Sequence, residues 1–377
     1  MEGDNSRIGF VAEASVFARY AAAAQNREEA LCCPTQYDPK LLEVIPDEVL
    51  QKDYGCGNPT GYVQPGETVV DLGSGAGKLC FIAAQLVGPA GRVIGIDANP
   101  HMLAVARRNA PIVAERLGYA NVTFRCGLIQ NLRLDLELLE ERLSRQPIRN
   151  SSDYLRLRQW EEELAAQQPL LADASVDCVL SNCVLNLVRH SDRPQLFAEI
   201  FRVLRPGGRV AISDIVSDRD VPPSLQADPQ LWSGCISGAF REDRFLDAFT
   251  NAGFVGAYIA QRQSEPWKII DGIAFRSVTI VAHKPTATRG QRAATVIYRG
   301  PFRAVEDDLG QRFERGRPTD ADMRSWELIQ RSVCRDMFYC DEPAPNGTSQ
   351  KVQVGQGPAA APLEKKPSCC RPDGSCC

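Results

Sequence analysis

Histidine is scarce, with three residues in a chain of 377. There is no Cys-x2-Cys…Cys-x2-Cys arrangement and no Cys/His pair at zinc spacing. Their lack excludes the common structural zinc modules and leaves little room for imidazole acid–base chemistry. No run approaches the 18 or so apolar residues that would span a bilayer. The opening MEGDNSRIGF has neither the basic start nor the apolar core of a secretory signal. The expectation is a monomeric cytoplasmic chain with no membrane partner. Excess positive charge is also missing: 43 Lys and Arg stand against 47 Asp and Glu, for a net charge of −4. That balance argues against nucleic acid or acidic lipid as the main partner. Asn346-Gly347-Thr348 fits a glycosylation sequon, but without a secretion signal it reads as a chance tripeptide.

Cysteine, by contrast, is abundant, at 14 residues. In a short secreted protein this would mean a disulfide framework. In a long chain with no signal it points to reduced thiols used for metal, metalloid or redox chemistry.

Residues 1–30 are Ala-rich and read as helix, and residues 31–66 carry the Pro, Gly and Asp breaks of a loop-rich lid. From Glu67 to about His283 strands and helices alternate. The strands are TVVDLG, RVIGID, VTFRCG, VDCVLSN, RVAISDI and RSVTIVAHK, with periodic helices such as HMLAVARRNAPIVAERLG between them. This alternation predicts a doubly wound α/β sheet over 67–285, covered by helices on both faces. A charged, helical-period insertion at 133–171, broken at Pro147, reads as a solvated hairpin outside the core. A small β-rich module is expected at 291–342. The Pro/Gly/Ala/Lys-rich tail 343–377, ending SCCRPDGSCC, reads as disordered.

VVDLGSGAGKLCFIAAQLV is a strand, a glycine-rich turn and a helix. Gly73, Gly75 and Gly77 would let backbone approach a ligand and expose amides at the helix start. Asp97, twenty residues after Gly77 at the end of the second strand, can accept from both hydroxyls of a ribose. Asp71, directly before the glycines, would repel a pyrophosphate but could hold an ammonium group. That choice, with the later FRVLRPGGRVAISD, favours S-adenosyl-L-methionine over a dinucleotide and resembles class I methyltransferases.

The fourth strand ends at Ser181-Asn182-Cys183, so in the usual strand order Cys183 lies beside the cofactor's methyl group. Cys56 in DYGCGNP and Cys235 in LWSGCISGAF are flanked by Gly or Ser in loops. Free cysteine is more often a small buried hydrophobe. That reading suits Cys80 in an apolar helix and Cys178 in a strand, and suits the glycine-flanked thiols badly.

YGCG, SNCVLNLV and WSGC together resemble the signature segments of the arsenite S-adenosylmethionine methyltransferases, over about residues 30–285. The resemblance implies As(III) ligand roles for Cys56, Cys183 and Cys235. It assigns a further thiol to either Cys32 or Cys33 and leaves the doublet unresolved. It also implies cofactor contacts at Ala98, Leu128, Ile129 and Asn182. Gln130 stands where an acidic residue is common, and the 133–171 insertion resembles the bacterial branch associated with arsenosugar biosynthesis. The substrates implied are arsenite and methylated trivalent arsenicals, with thioredoxin or glutathione as the thiol reductant. Soft As(III) prefers thiolate sulfur, and its lone pair would accept the methyl without a general base. A quinone- or sterol-type methyltransferase is the main rival, and it would need an apolar pocket where the thiols stand.

Cys369, Cys370, Cys376 and Cys377 lie in the tail, outside the segments that carry the resemblance. Truncation after about residue 345 is therefore expected to preserve methylation of free arsenite. Loss of turnover in the truncated protein would show instead that the tail completes the site.

Overall fold

The computed structural model describes residues 5–28, 35–286, 292–331 and 333–340. Cys32, Cys33 and the tail cysteines lie outside these residues. Helix α1 spans Asn5–Ala23 and is followed by short helical turns at Pro39–Leu42, Asp47–Gln51 and Pro59–Tyr62. The alternating region then runs β1 Thr68–Leu72, α2 Lys78–Val87, β2 Arg92–Asp97, α3 Pro100–Leu117 and β3 Val122–Cys126. It continues α4 Leu136–Arg145, α5 Ser151–Gln167, β4 Val176–Asn182, α6 Arg193–Val203, β5 Leu204–Ser217, α7 Glu242–Asn251, β6 Val255–Arg262 and β7 Ile273–His283. Among the described residues no helix is long and apolar enough to cross a membrane.

The main sheet has the order β3-β2-β1-β4-β5-β7-β6. β1 to β5 are parallel, whereas β7 runs antiparallel to both β5 and β6. Alternate residues of a strand face opposite layers. Val69 accordingly joins the apolar cluster of α2 and α3, while Val70 and Leu72 join the cluster of α6 and α7. Both faces are covered, so the strands read as near-continuous apolar runs. The antiparallel β6, GAYIAQR, has few fully buried residues and carries no comparable signal.

Local chemistry sets the helix starts near the sheet's carboxyl edge. Asn99 caps α3 by accepting from the His101 and Met102 amides, and Pro100 follows at the first helical position. The lid is pinned to the sheet by Arg209 of β5. Its guanidinium pairs with Glu67 and donates from Nε to the Tyr62 carbonyl at 2.6 Å.

Residues 292–340 form a separate small core of Val296, Tyr298, Phe313, Ala321, Ile329 and Phe338. Its strands are β8 Arg292–Tyr298, β9 Ala304–Glu306, β10 Arg312–Glu314, β11 Pro318–Asp322 and β12 Phe338–Cys340, with α8 at Met323–Arg331. The Gly256 amide donates to Asp308 at 2.8 Å and so ties this unit to the start of β6.

The α6/α7 layer is closed by edge-to-face and tilted aromatic pairs. Phe249, fully buried, meets Phe197, Phe245 and Phe254 with ring centroids 4.9, 5.5 and 5.7 Å away. Phe249→Ala should cost about 3–5 kcal/mol of stability through the cavity it leaves. Chemical denaturation checks this, and a loss below about 1 kcal/mol would mean that the layer collapses to refill the space.

Candidate functional site

Parallel pairing of β1 with β4 aligns Leu72 with Ser181. The chain leaving β1 turns through Gly73 and the chain leaving β4 turns through Cys183, side by side at the carboxyl edge. Gly73 has φ +73°, and a Cβ there would lie 2.4 Å from the Val184 side chain. Only glycine lets the two turns approach this closely.

A cavity of about 520 Å³ opens at this junction. Asp71, Gly73, Gly75, Asp97, Ala98, Leu128, Ile129, Asn182 and Cys183 all line it. Gly77, grouped with them from its spacing, does not. It is the left-handed residue that starts α2 at φ +91°, and its α-carbon packs against Phe124. Gln130 also faces the cavity.

Asp97 Oδ2 accepts from the Gly75 amide at 2.8 Å, and Oδ1 accepts from the Asn99 amide at 2.7 Å. The acidic end of β2 thereby braces the glycine turn. Asp71 is buried, and its described hydrogen bond comes from the Cys80 thiol at 3.3 Å. Cys80 is thus more than a small apolar filler. Burial pushes the Asp71 carboxyl up to about 7, with the Asp97 and Asp53 charges adding to the rise and the Cys80 hydrogen bond opposing it. The Ser74 hydroxyl, also buried, has no partner among the described residues. An under-coordinated buried carboxylate, an unpartnered hydroxyl and a glycine turn on one cavity fit a ligand with an ammonium group and a ribose. S-adenosylmethionine has both.

The thiols converge behind this cavity. Cys183 lines it, whereas Cys56 and Cys235 lie deeper, in one buried apolar cluster with Ile215, Ile236 and Phe275. The Cys183 thiol lies within hydrogen-bond reach of both other thiols. Cys235 Sγ donates to the Cys183 carbonyl at 2.9 Å. Cys183 and Cys235 have φ of +64° and +60°. Left-handed backbone at a non-glycine residue costs of order 1–3 kcal/mol and persists where the surroundings enforce it.

The Cys56 loop is held by Asn182. Its Oδ1 accepts from the Cys56 and Gly57 amides at 2.8 and 3.0 Å, and its Nδ2 donates to the Gly57 carbonyl and the Tyr37 hydroxyl. The flanking glycines are steric necessities. A Cβ at Gly55 would strike Asn182 at 2.1 Å, and one at Gly57 would strike Ser213 at 2.5 Å.

Neighbouring thiols and burial hold the Cys183 thiol well above the ordinary range, and burial raises that of Cys56. Asp214 lies near Cys56 and Cys183, yet its oxygens accept from the Leu185, Asn186 and Ile215 amides and from Asn186 Nδ2. Those bonds make it a brace for the turn after Cys183.

Three site groups escaped the reading of the sequence. Asp214 signals itself weakly as an aspartate inside the apolar strand RVAISDI, and Asn186 sits within SNCVLNLV. Tyr20 of α1 lines the cavity and hydrogen-bonds Cys235, and its only mark is being an aromatic in the Ala-rich segment ARYAAAA.

A profile described as a methyltransferase domain matches residues 64–142 and 149–253, and one described as a domain of unknown function matches 284–369. An arsenite methyltransferase of Aquipseudomonas alcaligenes is 31% identical over 336 residues, covering 82% of this chain and 85% of that protein. This chain belongs to the arsenite methyltransferase family. The arsenite methyltransferase of Halobacterium salinarum is 40% identical over 240 residues, covering 61% of this chain, which spans half of that protein's length. Among solved structures, an arsenic(III) S-adenosylmethionine methyltransferase from Chlamydomonas reinhardtii matches with a TM-score of 0.56 at 27% identity. The match covers 85% of this chain and all of that one.

The raised Asp71 carboxyl gives the cavity a pH signature. An unfolded aspartate ionises near 4, whereas the folded one binds its proton up to about 7, and an ammonium ligand must displace that proton. S-adenosylhomocysteine affinity, measured calorimetrically, should therefore rise roughly five- to tenfold between pH 6 and 7.5. Asp71→Asn should weaken binding and flatten this slope. A flat profile in the parent protein would remove Asp71 from the ammonium site.

Proposed function

We propose that the chain methylates trivalent arsenic, with Cys56, Cys183 and Cys235 as the ligands of arsenite. The observation that carries this is the convergence of three buried thiols beside the glycine-turn cavity. Arsenous acid exchanges its three hydroxides for three thiols and releases three waters, so the product is neutral. That balance suits a buried cluster, where net charge is costly. A divalent cation on three thiolates would leave a net negative charge in the same apolar surroundings. Thiolate ligation leaves the arsenic lone pair free, which is the nucleophile the reaction needs.

When bound, S-adenosylmethionine supplies a sulfonium methyl to that lone pair and leaves as S-adenosylhomocysteine. The chain's own contribution is mainly positioning. Asp71 holds the ammonium end, Asp97 receives the ribose hydroxyls, and Cys183 presents arsenic on the cavity wall. Transfer takes arsenic to As(V). Two thiols return it to As(III) by giving up two electrons and closing a disulfide. Cys56 with Cys32 or Cys33 is the assignment that fits the motif order, although the doublet lies outside the described residues. Thioredoxin or glutathione then reduces the disulfide, in keeping with a cytoplasmic monomer.

The three thiols should separate by substrate. Methylarsonous acid has one position blocked by its methyl group, so two thiols saturate it. Cys183→Ser and Cys235→Ser should abolish methylation of both arsenite and methylarsonous acid. Cys56→Ser, or the double change at Cys32 and Cys33, should block arsenite but spare methylarsonous acid when reductant is supplied. Product speciation for each variant on each substrate reads this out. Equal loss of both activities in Cys56→Ser would overturn the division.

A further inference from the structure

The two left-handed cysteines are 52 residues apart in sequence, and an arsenic atom bridging them needs a fixed sulfur–sulfur separation. One tie between their turns is the Cys235 thiol donating to the Cys183 carbonyl at 2.9 Å. That tie cannot survive ligation. Forming the As–S bond breaks the S–H bond, and the hydrogen leaves with an arsenite hydroxide as water. Something else must hold the turns together once arsenic is bound.

We propose that Asn186 is this positioning residue: its side-chain amide joins the Cys183 turn to the Cys235 turn independently of the thiols. Nδ2 stands 2.8 Å from Asp214 Oδ1, 2.7 Å from the Ile215 carbonyl and 3.3 Å from the Cys235 carbonyl. This fully buried NH2 spends its two hydrogens on the short contacts to β5 and reaches the Cys235 carbonyl as a longer, shared third contact, while Oδ1 has no partner among the described residues. The Asn186 amide and that of Leu185 donate to Asp214 Oδ2, so the turn after Cys183 is fixed to the same carboxylate. Two further ties run in parallel. Arg193, also buried, donates to the Asn186 and Gly238 carbonyls, and Trp232 Nε1 donates to the Leu187 carbonyl at 3.2 Å. The fit is tight as well, since a Cβ on Gly238 would lie 2.1 Å from the Asn186 carbonyl oxygen. Asn186, Arg193 and Trp232 do not themselves line the methyl-donor cavity, whereas Cys183 and Leu187 of the turn they tie do. Their loss should therefore act on arsenic more than on the cofactor.

This inference rests on the ligand roles proposed above for Cys183 and Cys235. The test uses the full chain carrying Asn186→Leu, which keeps the side chain's size and removes its donors. Steady-state kinetics give KM for arsenite, methylarsonous acid and S-adenosylmethionine, and the ultraviolet As–S charge-transfer band gives arsenic affinity directly. Expected is a rise of about ten- to a hundredfold in KM and Kd for both arsenicals, with KM for S-adenosylmethionine within about twofold of the parent. Trp232→Phe keeps the ring, removes the parallel donor and should show the same selectivity at smaller size, so a poorly folding Asn186→Leu leaves the idea testable. Parent-like arsenical constants in Asn186→Leu, or equal losses for arsenic and cofactor, would overturn it. If Asn186→Leu fails to fold, parent-like constants in Trp232→Phe would do so. The ligand assignment fails separately, if the parent's As–S band persists unchanged in Cys183→Ser and Cys235→Ser.

Discussion

The parallel pairing of β1 with β4 is the constraint on which the site depends. It brings two chain reversals to one edge of the sheet, one built from glycine and one from cysteine, and packs Gly73 against Val184. On the proposed assignment, a methyl donor at the first reversal and a nucleophile at the second would be neighbours without any long side chain reaching across. Sheets of this kind gather ligands where the crossover direction changes. Here β1 leads to β2 on one side while β4 leads to β5 on the other.

Charge decides how the two halves of the junction differ. In the glycine-turn half Asp53, Asp71 and Asp97 face the cavity alongside Lys52 and Lys78, and Lys78 Nζ pairs with Asp53 at 2.6 Å. Asp71 has no such cation partner among the described residues; burial, with the Asp97 and Asp53 charges added, raises its carboxyl to about 7. In the thiol half, burial and neighbouring sulfurs keep protons on Cys56 and Cys183, which suits a reagent that brings its own hydroxides to carry those protons away. The buried carboxylate and the thiol cluster thus meet at Cys183, the one of the three thiols that lines the cavity.

The alternation of strands and helices from Glu67 to His283 was legible because buried parallel strands and amphipathic helices each carry a distinct period. The glycine turn and Asp97 were legible for a related reason, since their chemistry is local to one β-α-β unit. Three glycines at alternating positions look equivalent in sequence, but the geometry sets the third apart, since a Cβ at Gly77 would lie 2.7 Å from the Phe124 ring. Asp214, Asn186 and Tyr20 were illegible for the opposite reason. Each acts across at least 28 residues of sequence, through partners that only the folded sheet and the returning helix α1 bring near. Cys80 falls between: its apolar helix correctly announced burial and gave no hint that the thiol faces a carboxylate.

Helix α1 shows how such long-range placement links the two halves. The Phe17 carbonyl accepts from Asn99 Nδ2, next to the carboxylate that braces the glycine turn. Two residues earlier and two later, Ser15 and Arg19 bond to Pro229, Gln230 and Ser233, in the helical turn that leads into Cys235. Tyr20 completes the span by contacting Cys235 itself while walling the cavity. A single helix therefore touches the cap of the cofactor side and the approach to the thiol side.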